Sequence, residues 1–568
     1  MFRPRRTSRP LLALVVAALG AGVASAQDAQ LQPPRVLFES AGGDRILEDF
    51  TQVLDLAGEA GASQKSGLLN LLEGFLVGVD ASAPVRLEPL TGTTPTRYRL
   101  YVPVNDRRKW QQDNLNYASG IPSRELANQK DTYQLGFVRN AAFDGFMRYY
   151  PVEDGLEYAV IVENQEDLPE EVKSIGALLT ADQDAALLLR NTAGDETAVA
   201  RRWERVAEAE KELLSALQPK PDETPEEFAL RKTGAATQVN ELGRFYAEAQ
   251  VVFASGNVPN GAIGAVGTVV YQPLPGTESA EALARLDESP SRFAGVPFNE
   301  DANFSGQMRV PLTPRQQENF KTLTDKMRAL LVAKVNEDDL PEAQRSARLE
   351  AFNRMFDLAN GVVESGMVDA IAEAVSVDGK RRFVGAVGLP EGAEVKPALE
   401  AFVASREGRE VEWGVAEVAG ATLHRFVLDE TFADYVDDVI GTNEVWVAVA
   451  PDAFWYAAGP GAREELEAQL NAAAAGGEAG GQIVRFSSDP ASAVDLLGRV
   501  ETPKGDANVE EYRQIAREVL ANCGGRITAT LRKDDDGAVR GRALAPRCVL
   551  TLIGRIIAEI SERENLAG

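Results

Sequence analysis

The sequence predicts an α+β fold of two related halves, each a mainly antiparallel sheet with helices packed on one face, joined by helical segments. Three observations lead there. Short runs alternate apolar and polar residues, as Tyr98, Leu100, Val102 and Val104 do with Arg99, Tyr101 and Pro103 between them, which is the period of a half-buried strand. Longer stretches carry apolar residues at helical spacing, as Ile46, Leu47, Phe50, Val53 and Leu54 do. One order of elements, strand, turn, strand and helix, occurs at two distant places, from Phe146 and again from Val445.

Taken in order, the chain opens with MFRPRRTSRP, holding four arginines and no acid, then the apolar run Leu11 to Ala24 and the triplet Ala24-Ser25-Ala26. This is the pattern of an export signal cleaved near Ala26, with Gln27 as the first mature residue. Thr7-Ser8-Arg9-Pro10 stands where a twin-arginine signal carries an apolar residue, so Sec export to the periplasm or the exterior is expected. No Cys follows the cleavage site and no later run reaches the ~18 apolar residues of a spanning helix, so neither a lipid anchor nor a membrane span is expected.

About 540 mature residues exceed what one hydrophobic core serves. The expected division is a signal peptide at 1–26, an N-terminal α+β unit at 27–185 and a helical connector at 186–250. A middle strand and helical region at 251–376, a second α+β unit at 377–485 and a C-terminal helix-hairpin-helix at 486–568 complete it.

Two helices open the first unit, the second carrying Leu68, Leu69, Leu72, Phe75 and Leu76 on one face. The strand at Tyr98 to Val104 ends in Asn105-Asp106, which can cap a helix around Trp110 and Leu115. Strands around Tyr133–Val138, Phe146–Tyr150 and Leu156–Val162 follow, with a helix expected near Pro169 to Ile175. Thr224-Pro225-Glu226-Glu227 and Thr313-Pro314-Arg315-Gln316 are capping boxes that open helices. Helix is expected from Pro341 to about Val375, and NAAAAGGEAGG at 471–481 reads as a low-complexity loop.

Near the end, Asp534-Asp535-Asp536-Gly537 is a hairpin tip. Cys523 and Cys548, the only cysteines, flank this hairpin almost symmetrically, so an exported chain is expected to join them in a disulfide.

The segments YRLYVPVND, AFDGFMRYYPVEDGLEYAVIVE and NEVWVAVAPDAFWYAAG, behind an export signal, resemble a group of uncharacterised exported bacterial proteins of the kind abundant in planctomycetes. The resemblance covers about 85–179 and 380–470. It implies repeated strand-helix-hairpin units and carries no activity with it. The second copy departs from the pattern, with Leu389-Pro390 where a Val-Asp ending belongs.

Chemistry is sparsely marked. Acids number 86 against 59 Lys and Arg, a net charge of −27 that becomes four units more negative without the leader arginines. Such a surface repels phosphate backbones, so no nucleic acid partner is expected. His424 is the only histidine, so any Ser-His-Asp or Cys-His arrangement would have to use it; within a strand it reads as structural. Gly261, Gly264 and Gly267 miss the dinucleotide spacing G-x-G-x-x-G. Asp301, Asn303 and Ser305 match the first half of a calcium loop, but Leu312 stands where the bidentate Glu belongs. No cofactor is expected.

Trp446, Trp455 and Tyr456 invite a sugar platform, yet adjacent strand residues point to opposite faces, which puts at least one of them inside. The function expected is therefore exported, non-catalytic binding or scaffolding, with an unknown protein or polysaccharide partner. The alternative is a carboxylate-based hydrolase acting on a glycan, a chemistry that needs two acids and leaves no local signature. A site in the cleft between the halves is expected ahead of one on the hairpin itself.

Overall fold

A computed structural model describes residues 35–563 except 91–96, 138–142, 153–154, 174, 222, 260–262, 406–409, 429–438, 478–479 and 498–506. The expected signal peptide, its cleavage site and Gly261 lie outside the described residues. The fold is α+β, with one antiparallel sheet of twenty strands and thirteen helices among the described residues.

The first half of the chain contributes β1 (Arg35–Ser40), β2 (Val85–Leu90), β3 (Arg97–Pro103), β4 (Ser123–Glu125), β5 (Thr132–Leu135), β6 (Gly145–Pro151), β7 (Glu157–Val162), β8 (Ala185–Arg190), β9 (Ala249–Asn257) and β10 (Ile263–Pro273). The second contributes β11 (Phe304–Pro311), β12 (Met367–Val377), β13 (Lys380–Gly388), β14 (Glu410–Val418), β15 (Ala421–Val427), β16 (Glu444–Val449), β17 (Ala453–Ala458), β18 (Gln482–Ser488), β19 (Ile527–Lys533) and β20 (Val539–Pro546).

Hydrogen bonding orders the first ten as 4-5-6-7-3-2-1-8-9-10. The last ten run 14-15-16-17-13-12-11-18-19-20. The two orders are identical strand for strand, and the halves meet where β10 pairs antiparallel with β20, Val266 opposite Leu544 and Tyr271 opposite Val539. The duplication read from two short segments thus extends to every strand of the sheet.

Helices follow the same plan. Between β1 and β2 lie α1 (Gly43–Leu56) and α2 (Glu59–Phe75), and after β3 comes α3 (Arg107–Lys109), continued by a π-helix at Trp110–Ala118. Between β8 and β9 lie α4 (Glu196–Ala216) and α5 (Pro225–Glu248), and after β10 comes α6 (Glu278–Ala284). The second half matches these with α7 (Pro314–Glu337) and α8 (Glu342–Glu364) before β12, then α9 (Val395–Ala404) after β13. It adds α11 (Pro490–Leu497) and α12 (Ala507–Leu520) before β19, and α13 (Arg547–Arg563) after β20. A unit of strand, helix pair, two strands and helix therefore occurs four times, and the meanders β4–β7 and β14–β17 are inserted after the first and third copies.

Successive strands run in opposite directions, so helix pairs leave the sheet at alternate ends. One row joins α4, α5, α7, α8 and α9; the other joins α11, α12, α13, α1 and α2. Each row combines helices from both halves. Beneath the first, Leu189, Tyr271, Ile483 and Val539 of the sheet pack with Val206, Val239 and Tyr246 in one core.

The opposite face of the sheet is covered differently in the two halves. In the second half, α10 (Ala462–Ala475) buries Leu466 and Leu470 against Ile371, Val384, Trp446 and Trp455. In the first, an irregular strap does this work, with Leu168, Val172 and Ile175 set on Tyr101, Tyr150 and Tyr158.

The strap replaces the helix expected at Pro169 to Ile175. Only Gln165–Asp167 forms a short 3-10 turn, and Leu168 before the proline is extended at ψ 128°, as a residue preceding Pro prefers. Two further expectations change. Helix α8 ends at Glu364, and Met367–Val377 is strand β12. Residues 471–475 continue α10 rather than forming a loop, in keeping with the helix propensity of alanine. Both capping boxes form, Thr224 with Glu227 and Thr313 with Gln316. The expected boundaries at 185/186, 250/251, 376/377 and 485/486 fall inside β8, β9, β12 and β18.

Candidate functional site

On the helix-bearing face of the second half, a cavity of about 340 Å³ is lined by Asn303, Phe304, Ala372, Glu373, Ala374, Arg381, Phe383, Val384, Tyr456, Ser488 and Ser492. Two other cavities in this half measure about 230 and 160 Å³. Its residues come from β11, β12, β13 and β17, with the end of β18 and the start of α11 on one side. It lies within the second half, not between the halves, and reaches the hairpin β16–β17 through Tyr456.

The sheet builds this hollow from small residues. Gly306, Ala372 and Gly385 stand opposite one another on β11, β12 and β13, and directly paired residues share a face. Two rings lean over the glycines. A Cβ on Gly385 would meet Tyr456 Oη at 2.4 Å, and one on Gly306 would meet Phe304 Cζ at 3.3 Å. Phe304 is 36% and Tyr456 40% exposed, and Phe486 stacks edge-on against Phe304 with centroids 5.5 Å apart.

Polar groups gather at one side. Arg381 Nη2 donates to Ser492 O at 3.1 Å, and burial pushes the Glu373 carboxyl and the Tyr456 hydroxyl above their usual pKa ranges. Among the described residues Glu373 is the one acid in the lining, and its carboxyl lies on the far face of the sheet, toward Asn299 and Glu465.

The residues singled out in the sequence are dispersed. Ser305 is buried in β11 opposite Glu373, the Asn303 Oδ1 accepts from Ser376 Oγ at 2.9 Å, and Asp301 is exposed before the strand. A strand thus follows Asn303 at once, and no group of three or more His, Cys, Asp or Glu among the described residues could hold a metal ion. Asp534 and Asp536 pair with Arg540 across the hairpin tip. Cys523 and Cys548 form a disulfide with Cα atoms 5.4 Å apart. Trp446 and Trp455 are buried, leaving Tyr456 alone as an aromatic at the surface of that hairpin.

His424 is 3% exposed on β15, and its Nδ1 accepts the Gly414 N–H at 3.0 Å. That bond holds a bulge in β14, where Gly414 has φ +65° and the register shifts between Glu412 and Ala416. Burial, then Lys396, pushes the imidazole pKa down, which keeps the accepting nitrogen free of a proton.

A different carboxyl pair stands on the first half. Asp49 of α1 hydrogen-bonds Asp184, which pairs with Arg45 at 2.5 Å. Burial first, and the Asp184 charge second, push the Asp49 pKa up to about 7. Neither residue lines the cavity.

No family model, curated protein or solved structure matches the chain. Its chemistry has to be read from its own residues. Sequence reasoning missed Phe304, Phe383 and Arg381. One signal was available: isolated glycines inside strand patterns, here Gly306 and Gly385, mark close approach of another group.

Proposed function

We propose that this chain is an exported, non-catalytic binding protein whose ligand enters the cavity of the second half. The observation that carries the reading is an apolar hollow of about 340 Å³ with a single acid among the described residues of its lining. Its volume falls in the range of small-molecule sites, which combine apolar walls with a few convergent polar groups. Hydrolysis of a glycoside requires two acids about 5 to 10 Å apart, and among the described residues no second acid lines this site. Asp49 and Asp184 are hydrogen-bonded to each other, closer than a sugar held between two carboxyls allows.

Export is supported by the N-terminal sequence and agrees with the disulfide. Among the described residues, no helix is long and apolar enough to cross a membrane. The acidic surface argues against nucleic acid partners.

The test is a pair of measurements on the purified mature chain. Thermal denaturation against a panel of small amphipathic compounds is expected to show ligands that raise Tm, while a glycan panel stays uncleaved. Hydrolysis lost on replacing Asp49 or Asp184 would establish the hydrolase instead.

A further inference from the structure

We propose that the second-half cavity takes a small aromatic molecule with one hydrogen-bond-accepting substituent, its ring held between Phe304 and Tyr456 and its polar end beside Asn303, Ser488 and Ser492. The assignment rests on the binding reading above and names the ligand class for that site.

The two halves supply the argument, because one acts as a control for the other. Val104 N–H donates to Glu157 O in the first half, and Leu389 N–H donates to Asp452 O in the second. These equivalent bonds match β3 to β13 residue for residue. Reading across the paired strands from there gives the row Phe38, Leu87, Leu100, Ile161 in the first half. The same row in the second half is Gly306, Ala372, Gly385, Tyr456.

Where the first half closes its sheet face with four bulky apolar side chains, the second has two glycines, an alanine and a tyrosine. Omitting that much apolar volume costs stability. The fold does not require the omission, since the first half has the same strand order without it.

The hollow also has a definite shape. Its floor is Ala372 and Ala374, and rings stand on either side, Phe304 leaning over Gly306 and Tyr456 over Gly385. Ring faces and edges favour another aromatic ring, in stacked or edge-to-face contact, beyond what burial alone contributes. Both rings keep more than a third of their surface open, so contact remains for them to make. The polar groups lie to one side, where Asn303, Ser488 and Ser492 line the rim and Arg381 donates to the Ser492 carbonyl. Amide and hydroxyl groups at the rim suit a substituent that accepts hydrogen bonds, such as a carboxylate.

The experiment is calorimetric titration of the full mature chain with 2-naphthoate and with decanoate, which share a carboxylate and differ in ring against linear chain. The expected result is one 2-naphthoate per chain, with decanoate at least about tenfold weaker. Ala372→Leu restores the residue the first half carries at this place, and it is expected to weaken 2-naphthoate at least about tenfold while Tm holds or rises. Tyr456→Leu serves as the second variant if Ala372→Leu fails to fold, with the same loss expected.

Decanoate binding as tightly as 2-naphthoate, and lost in Ala372→Leu, overturns the aromatic assignment and leaves the binding reading standing. Binding of neither compound overturns both. Binding unchanged in both variants places the ligand elsewhere and overturns the proposal.

Discussion

Glu39 is fully buried, and its carboxylate accepts from Arg86 Nε at 2.7 Å and from the Leu178 N–H at 3.0 Å. Arg86 is itself buried and lies over the Tyr101 ring. Removing one partner of such a pair strands a charge in a low-dielectric interior. Glu39→Leu is expected to lower stability by about 3–5 kcal/mol in urea denaturation, and the double variant Glu39→Leu with Arg86→Met to recover most of it. A single variant as stable as the parent would show the pair to be idle. Asp49 obeys a different rule. Its folded pKa of about 7 lies above the ordinary carboxylate value, so the fold favours the protonated acid. That contribution is fully present below the unfolded pKa of roughly 4 and is lost as pH rises through 7. Asp49→Asn, which mimics the protonated form, should raise Tm at pH 8.5 by ~1–2 °C and change it little at pH 5; equal shifts at both values would refute this. Neither pair was legible in the sequence, because each joins residues far apart in the chain.

Elements with strong local chemistry were legible. The capping boxes at Thr224 and Thr313 need only four consecutive residues, and the Asp-Gly tip with flanking cysteines fixed the last hairpin before any contact was known. Replacing Cys523 and Cys548 together by serine is expected to cost roughly 3 kcal/mol, measured by denaturation of the oxidised parent against the double variant. Strand β12 reads as helix in the sequence because Met367 to Val377 holds three alanines and a glutamate, which favour helices, and follows directly on a helical stretch. Its neighbours β11 and β13 overrode that preference, since pairing and burial on a sheet outweigh propensity. The cavity stayed hidden for the same reason: Ala372 and Ala374 look like helix residues until the register sets them opposite Gly385 and Phe383.

In the whole molecule the two helix rows interlock the halves, with α5 packed on α7 and α13 packed on α1 and α2. Neither half buries its helices by itself, so heat should unfold the chain in one calorimetric transition; two resolved transitions would contradict this. The duplication was visible in the sequence only where hairpins were compact. Its remaining copies, the helix pairs before β2, β9, β12 and β19, share topology and little residue identity. A sheet of twenty strands without closure has two ends, β4 and β14. β4 spans three residues, whereas β14 spans nine and is mostly exposed. That long rim carries the kink pinned by His424 together with Glu410, Glu412 and Glu417, and bulges and charges are the usual guards of an open edge. The imidazole pKa is depressed, so its neutral form supports the kink above the ordinary histidine value, and that support is lost as pH falls through the depressed one. Light scattering should then show dimers, joined edge to edge along β14, forming as pH falls through the depressed histidine value and separating on return to neutral pH, with a single histidine setting the threshold.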